Sequence, residues 1–329
     1  MKKGQLLVLG ATGVFGKQLT QALAEKGFPS ESLTLAASKH SEGEEVSYGE
    51  DSLWVETLSP SLMKGAQLAV LALPRQEAAQ AVVWAQQAGL RVLDASGGNL
   101  PRVPLVSPHA LGKAPPEWPR SELHLALASP LAHALACVFF PLKPSGWAEV
   151  TALCGAACLG QAGPKALEKQ TLAIFNGREE EAEGGRRLAF NMVPAFEGAG
   201  GFANQAEAEV PGELARLLQS PLALGLHVFL APFFYGVSVS FSVAVEGGRG
   251  LAHWRQVLAA GHGIKLLDEG ATGSAHGLSP MPMLVSEDSA LLLGKLRLEG
   301  DVLRGVLAFE PANRLAEFAA NLAMAGLGA

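Results

Sequence analysis

The first third of the chain alternates short apolar runs with longer amphipathic stretches. Gln5–Leu9 is a compact apolar run, followed by G-A-T-G-V-F-G and then helical spacing over Lys17–Glu25. Leu33–Ala37, Gln67–Leu73 and Arg91–Ala95 are further apolar runs, and Gln76–Ala88 between the last two is patterned as a helix. Runs with no polar alternation suit strands buried on both faces. Their alternation with helices predicts a parallel sheet with covering helices, an α/β architecture. The Pro- and Trp-rich segment Pro115–Pro119 predicts a loop, and His124–Leu127 one more strand.

Beyond Pro141 the pattern changes. Ala148–Leu159 and Leu222–Phe234 predict strands, and Pro164–Phe175 and Trp254–Ala260 predict helices. Val237–Val245 (V-S-V-S-F-S-V-A-V) alternates apolar with small polar residues, the mark of a sheet with one covered face. Ala290–Leu298 and Val302–Phe309 predict a strand pair around E-G-D, and Ala312–Leu327 a closing helix.

At 329 residues, 49% hydrophobic and 17% charged, the chain is long enough for two lobes with separate cores. A formal net charge of -6 argues against a nucleic-acid partner, which needs a basic patch. The dense charge run Arg178–Arg187 mixes both signs and reads as a solvated loop. Two lysines precede the first apolar run, but that run is only a strand long, so a secretory signal is not expected. The longest apolar stretch, Pro221–Phe234, is broken by Gly225, His227 and Pro232; no membrane span is expected and the protein reads as cytoplasmic. Three cysteines, an odd number, suit a reducing compartment. Cys154 and Cys158 lack a second pair at metal-ligand spacing, so no metal site is expected and all three read as small core residues.

Chemistry enters at G-A-T-G-V-F-G, with glycines at 10, 13 and 16 between a strand and a helix. Gly10 permits a tight turn, Gly13 lets backbone amides approach a pyrophosphate, and Gly16 allows close packing of helix on sheet. The candidate cofactor contacts are Gly10, Ala11, Thr12, Gly13, Val14 and Gly16, at a helix N-terminus whose dipole and free N–H groups face the phosphates. No acidic residue closes the second strand, where a ribose 2′-hydroxyl would be gripped. A-A-S-K-H-S stands there instead, and Ser38 and Ser41 with the neighbouring bases suit a 2′-phosphate, favouring NADP over NAD. The alternative for that segment is a solvated turn.

The order of motifs resembles the aspartate-semialdehyde dehydrogenase family. G-A-T-G-V-F-G is similar to its opening loop, A-A-S-K-H-S-E-G to its 2′-phosphate segment, and V-L-D-A-S-G-G-N-L to the stretch after its fourth strand. V-P-L-V-S-P-H-A and L-A-F-N-M-V-P have counterparts further on. The resemblance implies a Rossmann domain over residues 1–128 with 305–329, and an α+β substrate and dimerisation domain over 129–304. It also implies a homodimer, for which the strand Val237–Val245 is the candidate pairing sheet, and allows a mixed dimer with an active paralogue. In that family a cysteine thiolate attacks an acyl phosphate, a histidine moves the proton, and NADPH delivers hydride.

Aligned on Pro130, the family's N-P-N-C-[ST] motif falls on Ser129–His133, placing Ala132 at the nucleophile position. Leu230 and Val237 take the places of its arginine and histidine in V-F-L-A-P-F-F-Y-G-V-S, and its glutamine falls at Ala156 or Ala157. The carboxyl-binding arginine corresponds to Asn99 or Leu100, while Glu213 and Arg216 keep counterparts on the substrate-binding helix. The nicotinamide-bordering N-L-R-K-G segment reads P-A-N-R-L, Pro311–Leu315. A methyl group forms no thioester, so the resemblance is to the nucleophile-less Usg-type relatives. The expectation is a catalytically inactive nucleotide-binding dimer with no catalytic residue. Two alternatives are an active NADP-dependent oxidoreductase using His133 or Tyr235 as proton donor, and a structural subunit without ligand. Cys137 is a weak nucleophile candidate, its thiol expected to point into the core, and Ser129 with His133 reads as a helix cap beside a histidine.

Overall fold

The computed structural model describes residues 5–97, 100, 102–107, 117–178, 186–195, 205–261, 263–267, 279–285 and 290–328. It divides into two compact units, Met1–Ser129 with Ala312–Ala329, and Pro130–Pro311.

In the first unit, β1 (Leu6–Leu9) leads through the glycine loop into α1 (Val14–Glu25), then β2 (Leu33–Ala37). A hairpin of β3 (Glu45–Tyr48) and β4 (Asp51–Thr57) follows, then β5 (Leu68–Leu71), α2 (Arg75–Gln87), β6 (Arg91–Asp94), β7 (Leu105–Val106) and β8 (His124–Leu127). The strand order is β3-β4-β2-β1-β5-β6-β8-β7, all parallel except the edge pair β3–β4. β1 and β5 are apolar at every position because both faces are covered. Leu6, Val8, Leu35 and Leu93 pack on one side, and Leu7, Leu9, Leu71 and Val92 on the other.

The second unit opens with α3 (Pro130–Leu142) and β9 (Trp147–Cys154), followed by α4 (Ala162–Phe175), β10 (Val193–Pro194) and α5 (Ala206–Leu218). β11 (Ala223–Leu230), β12 (Val237–Ala244), α6 (Leu251–Ala259), β13 (Ile264–Leu266), β14 (Leu291–Glu299) and β15 (Val302–Phe309) complete it. Its mixed sheet runs β10-β11-β9-β12-β15-β14-β13. Val237, Val239, Phe241 and Val243 of β12 are buried, while Ser238, Ser240 and Ser242 lie on the opposite face. Phe139 of α3 meets Phe241 edge-on at 5.8 Å between ring centroids. The chain then returns to the first unit as α7 (Asn313–Leu327), which packs along α1 and reaches β5 and β6.

Several sequence expectations need correction. The return to the first unit falls at Ala312 rather than 305, because β15 stays hydrogen-bonded between β12 and β14 up to Phe309. Likewise Ser129 closes the first unit and Pro130 opens the second. The strand expected over 148–159 stops at Cys154, and Ala156–Leu159 form a 3₁₀ turn. The strand expected to Phe234 stops at Leu230, where Pro232 enters. The β3–β4 hairpin and helix α5 were not predicted from periodicity. Among the described residues no helix is long and apolar enough to cross a membrane.

Candidate functional site

The glycine loop is built from three glycines with different reasons to be glycine. Gly10 has φ +90°, and a Cβ there would stand 2.1 Å from the Ala72 carbonyl oxygen, so β1 and the end of β5 could not approach. A Cβ on Gly16 would lie 2.2 Å from the Gly10 carbonyl oxygen, so α1 could not seat on the loop. Gly13 has an ordinary backbone (φ -69°, ψ 167°), and its Cβ would meet Gly10 oxygen at 3.3 Å, tight but backbone-compatible. Packing therefore demands glycine at 10 and 16 and only mildly at 13. Gly13 is also the N-cap of α1 and offers no side-chain oxygen to the first-turn amides, of which Val14 is the exposed leading residue. That leaves a bare, positively polarised helix start, fitting an anionic pyrophosphate.

Ala11 is buried under the loop, anchored with Gly10 by N–H bonds to the Ala36 carbonyl at the end of β2. Thr12 accepts a hydrogen bond from Ser41 Oγ at 3.2 Å, tying the loop to the segment after β2. Ser38, Lys39 and His40 are exposed and Ser41 is half-buried in a short 3₁₀ turn. The sequence candidates Gly10–Gly16, Ser38 and Ser41 thus lie along the carboxyl ends of adjacent strands β1 and β2, the usual ligand edge of an open parallel sheet.

Asp94, closing β6 at that same edge, was not singled out as a site residue from sequence. It is buried, accepts the Ser96 N–H at 2.8 Å, and has its Oδ2 3.7 Å from His124 Nε2. Burial pushes its carboxyl up, but the neighbouring His124 and the Ser96 donors outweigh this and hold it below the usual carboxylate range. Leu100 is half-buried, and Asn99 lies outside the described residues.

In the second unit the family-aligned positions converge. On β9, Cys154 is in register with Leu230 of β11 on one side and Val237 of β12 on the other, and Val237 in turn faces Phe309. Leu230, Cys154, Val237 and Phe309 are all buried, so this end of the sheet is an apolar strip. Ala156 and Ala157 follow at once, their N–H groups bonded to the Phe233 and Phe234 carbonyls, Ala157 half-buried. α3 runs alongside β12 in the same sense, with Phe139 on Phe241 and Ser145 N–H bonded to Ala244 oxygen. Ala132 stands about 10 Å up the helix from Phe139. Val237 stands about 13 Å up the strand from Phe241. Both therefore lie at the same end of the unit, and Ala132 is fully buried.

Helix α3 holds a second feature. Cys137 Sγ is 3.6 Å from His133 Nδ1 and 3.9 Å from Nε2, and both residues are buried. The expectation of a thiol facing the core is met: the sulfur lies over the His133 ring. Glu213 is fully buried on α5, which packs against α3, while Arg216 is half-buried. Cys158 lies beside Cys154; burial first, then Cys154 and the charge of Glu310, push its thiol well above the usual range. Tyr235, the other proposed proton donor, is exposed and lies tilted against Phe234. Among the described residues no cluster of three His, Cys, Asp or Glu could hold a metal ion.

A glycine-capped helix at the carboxyl edge of a parallel sheet defines a protein of the Rossmann-like dinucleotide-binding class. Residues 5–112 match the family described as "Semialdehyde dehydrogenase, NAD binding domain". A USG-1 protein homolog of Pseudomonas aeruginosa is 31% identical over 274 residues, spanning 80% of each chain. The aspartate-semialdehyde dehydrogenase of Aquifex aeolicus is 25% identical over 308 residues, 89% of this chain and 88% of the relative. The solved structure of a probable aspartate-semialdehyde dehydrogenase from Pseudomonas aeruginosa is 25% identical and superposes with a TM-score of 0.82 over 99% of this chain and 98% of that one. The fold is shared with aspartate semialdehyde dehydrogenase with NADP from Candida albicans, 16% identical, TM-score 0.67, 98% of both chains covered. The chain belongs to the aspartate-semialdehyde dehydrogenase family, as a member of its Usg type.

Proposed function

We propose that the protein is a catalytically silent family member that binds NADP through the Gly10–Gly16 loop and acts as a cytoplasmic homodimer. The observation that carries this reading is the packing at Ala132, Leu230 and Val237. Each replaces a reactive or charged family residue with an aliphatic one, and each is buried, at most 3% exposed. The nucleophile, base and anion-binding positions are filled as core, so the covalent route through a thioester has no atoms to run on. An assay with aspartate semialdehyde, NADP and phosphate tests it: no turnover above background is expected, and clear turnover would overturn the reading.

The cofactor half rests on the bare N-cap at Gly13 and on Ser38, Lys39, His40 and Ser41 standing where an acidic residue would select NAD. When bound, NADP would supply hydride-transfer capacity, and the loop amides would hold its pyrophosphate. Calorimetric titration should give heat with NADPH and weaker heat with NADH. No heat with either would leave the protein a subunit without nucleotide.

The dimer reading rests on the outer face of the second sheet. Glu149, Ser242, Arg304 and Arg297 follow one another in register across β9, β12, β15 and β14, with Thr151 and Ser240 paired in the next row. Glu149 lies flat over Gly225, where a Cβ would come within 2.1 Å of its carboxylate. A two-fold axis running along β12 over Ser240 and Ser242 would set Glu149 opposite Arg304 of the partner subunit, a self-complementary arrangement. Sedimentation should give twice the chain mass, and Glu149→Arg should favour the monomer.

A further inference from the structure

We infer that two exposed apolar patches of the second unit meet across the two-fold axis of the dimer and lock it. One is aromatic, built on Phe175, Phe190 and Met192; the other is methionine-rich, built on Met281, Met283 and Leu284. The inference rests on the dimer reading above and names a contact that holds it. Phe175 of α4 meets Phe190 edge-on at 5.9 Å between ring centroids, yet the two are 75% and 62% exposed. Phe190 has φ +57°, a left-handed backbone that bulky residues avoid. Gln170 Oε1 pins the turn by accepting the Leu188 and Ala189 N–H groups. The fold thus holds an unfavourable backbone in place to present a ring to solvent. In the second patch, a Cβ on Gly294 would stand 3.2 Å from the Pro280 ring, and Val285 joins the buried cluster of Leu267, Leu292 and Ala308. Gly294 is in register with Val306, and Val306 with Ser240 of the outer face. Residues 280–285 therefore lie over the outer side of β14, leaving Met281, Met283 and Leu284 exposed.

Both patches stand at the Cys154–Val237 end of the sheet, on opposite sides of β12. Pro194, two residues past Met192, is in register with Phe229, next to the Leu230–Cys154 pair. On the other side a Cβ on Gly236, just before Val237, would stand 3.1 Å from Pro282. A two-fold axis along β12 keeps height along the strands and exchanges the two sides. It carries the aromatic patch onto Met283 of the partner subunit, and the methionine patch onto Phe190 of the partner subunit. β10 lies three strands from β12, about 14 Å, and β14 lies two strands away, about 10 Å. Phe and Met side chains span that difference, and a thioether is attracted to a ring about 5 Å away. Area points the same way. The outer face of β11, β9, β12, β15 and β14 covers roughly 600 Å², short of the roughly 800 Å² per partner of a standard interface. The two exposed phenylalanines add roughly 100 Å² or more each.

The test is cross-linking by a short bismaleimide, with sedimentation on the same preparations. The native Cys137, Cys154 and Cys158 are buried, and Phe190 and Met283 are 62% and 78% exposed, so both sites accept cysteine without disturbing the core. Phe190→Cys combined with Met283→Cys should give a covalent dimer. Neither single variant should, because Phe190 and Phe190 of the partner subunit stand about 28 Å apart. Phe190→Lys should raise the dimer dissociation constant about tenfold or more, and adding Met283→Glu should recover most of that loss. A wild-type dimer whose double-cysteine variant stays unlinked, or whose Phe190→Lys variant dissociates no more readily, overturns the patch contact and leaves the dimer reading standing. A covalent dimer of Phe190→Cys alone places the aromatic patch on the axis and overturns the pairing. A monomeric wild type overturns both readings.

Discussion

Alanine at Gly16 and alanine at Gly13 should separate the fold's use of the glycine loop from a ligand's use of it. The methyl of Gly16→Ala would sit 2.2 Å from Gly10 oxygen and within 3 Å of Gly10 and Ala11 backbone carbons, all groups that cannot rotate away. That is roughly 1 Å short of ordinary contact, an overpacking of about 1–3 kcal/mol. The gain in helix propensity offsets about 1 kcal/mol, and with backbone atoms on every side of the methyl the net loss should approach the upper end, about 2 kcal/mol. Gly13→Ala meets only one contact at 3.3 Å and a backbone that alanine adopts freely. There the lost N-cap preference and the reduced unfolded-chain entropy nearly cancel, within about 0.5 kcal/mol. Its methyl would nevertheless stand before the helix amides, so NADPH affinity should fall about tenfold or more, about 1.4 kcal/mol. Urea unfolding and calorimetric titration read the two effects. Wild-type stability in Gly16→Ala would refute the packing argument, and wild-type NADPH affinity in Gly13→Ala would refute the assignment of the loop.

Three further outcomes follow from buried contacts in the first unit. Gly326→Ala should loosen α7, because its Cβ would lie 2.8 Å from Leu68 and Trp118 where Arg91 also donates to the Gly326 carbonyl; a lower urea midpoint and faster proteolysis of the C-terminus check this. Tyr48 donates to the Phe28 carbonyl at 2.7 Å and burial pushes its hydroxyl up to about 12. Tyr48→Phe should cost about 1–3 kcal/mol at neutral pH. It should also abolish the stability loss that sets in as pH rises past about 10, where only the unfolded tyrosine ionises. Asp94 is held below the usual carboxylate range in the fold, so its contribution is present above about pH 4 and lost as pH falls further. Asp94→Asn should flatten the acid limb of a stability profile, and an unaltered limb would sink the pairing with His124.

How much of this was legible from sequence follows from where the determinants lie. β2 and β15 were read to the residue, because their apolar pattern and bounding turns are local. The β3–β4 hairpin was missed because this edge pair buries only Tyr48 and Val55 among mostly polar neighbours. α5 was missed because Pro211 and charged residues blur its stripe, although Val210, Glu213, Leu214 and Leu217 line its buried side. Motif order brought Ala132, Leu230 and Val237 under suspicion one at a time. The meeting of Leu230 and Val237 on either side of Cys154 depends on the register of three strands drawn from distant segments, which no local pattern encodes. The four-residue spacing of His133 and Cys137 was visible, but the contact of thiol and imidazole ring required side-chain directions.

The aligned centre is also unequal in how it could be restored. Ala132 begins a helix buried on nearly every side, with Pro130 preset for its first turn. Cysteine behaves there as a small hydrophobe, so Ala132→Cys should change stability by less than about 1.5 kcal/mol. Val237 is different. Its side chain is fully buried in register with Cys154 and Phe309, and Leu230 flanks Cys154 from the other side. An imidazole placed there would lose water and gain only apolar neighbours, so Val237→His should cost about 1–3 kcal/mol. The double variant should therefore be less stable than Ala132→Cys and still fail to turn over aspartate semialdehyde, because its new base would be held neutral and away from solvent. Urea melts and the same dehydrogenase assay decide it. A double variant as stable as wild type and active would mean that the strip at Leu230, Cys154 and Val237 is an open site, and the argument for a filled-in centre would fail.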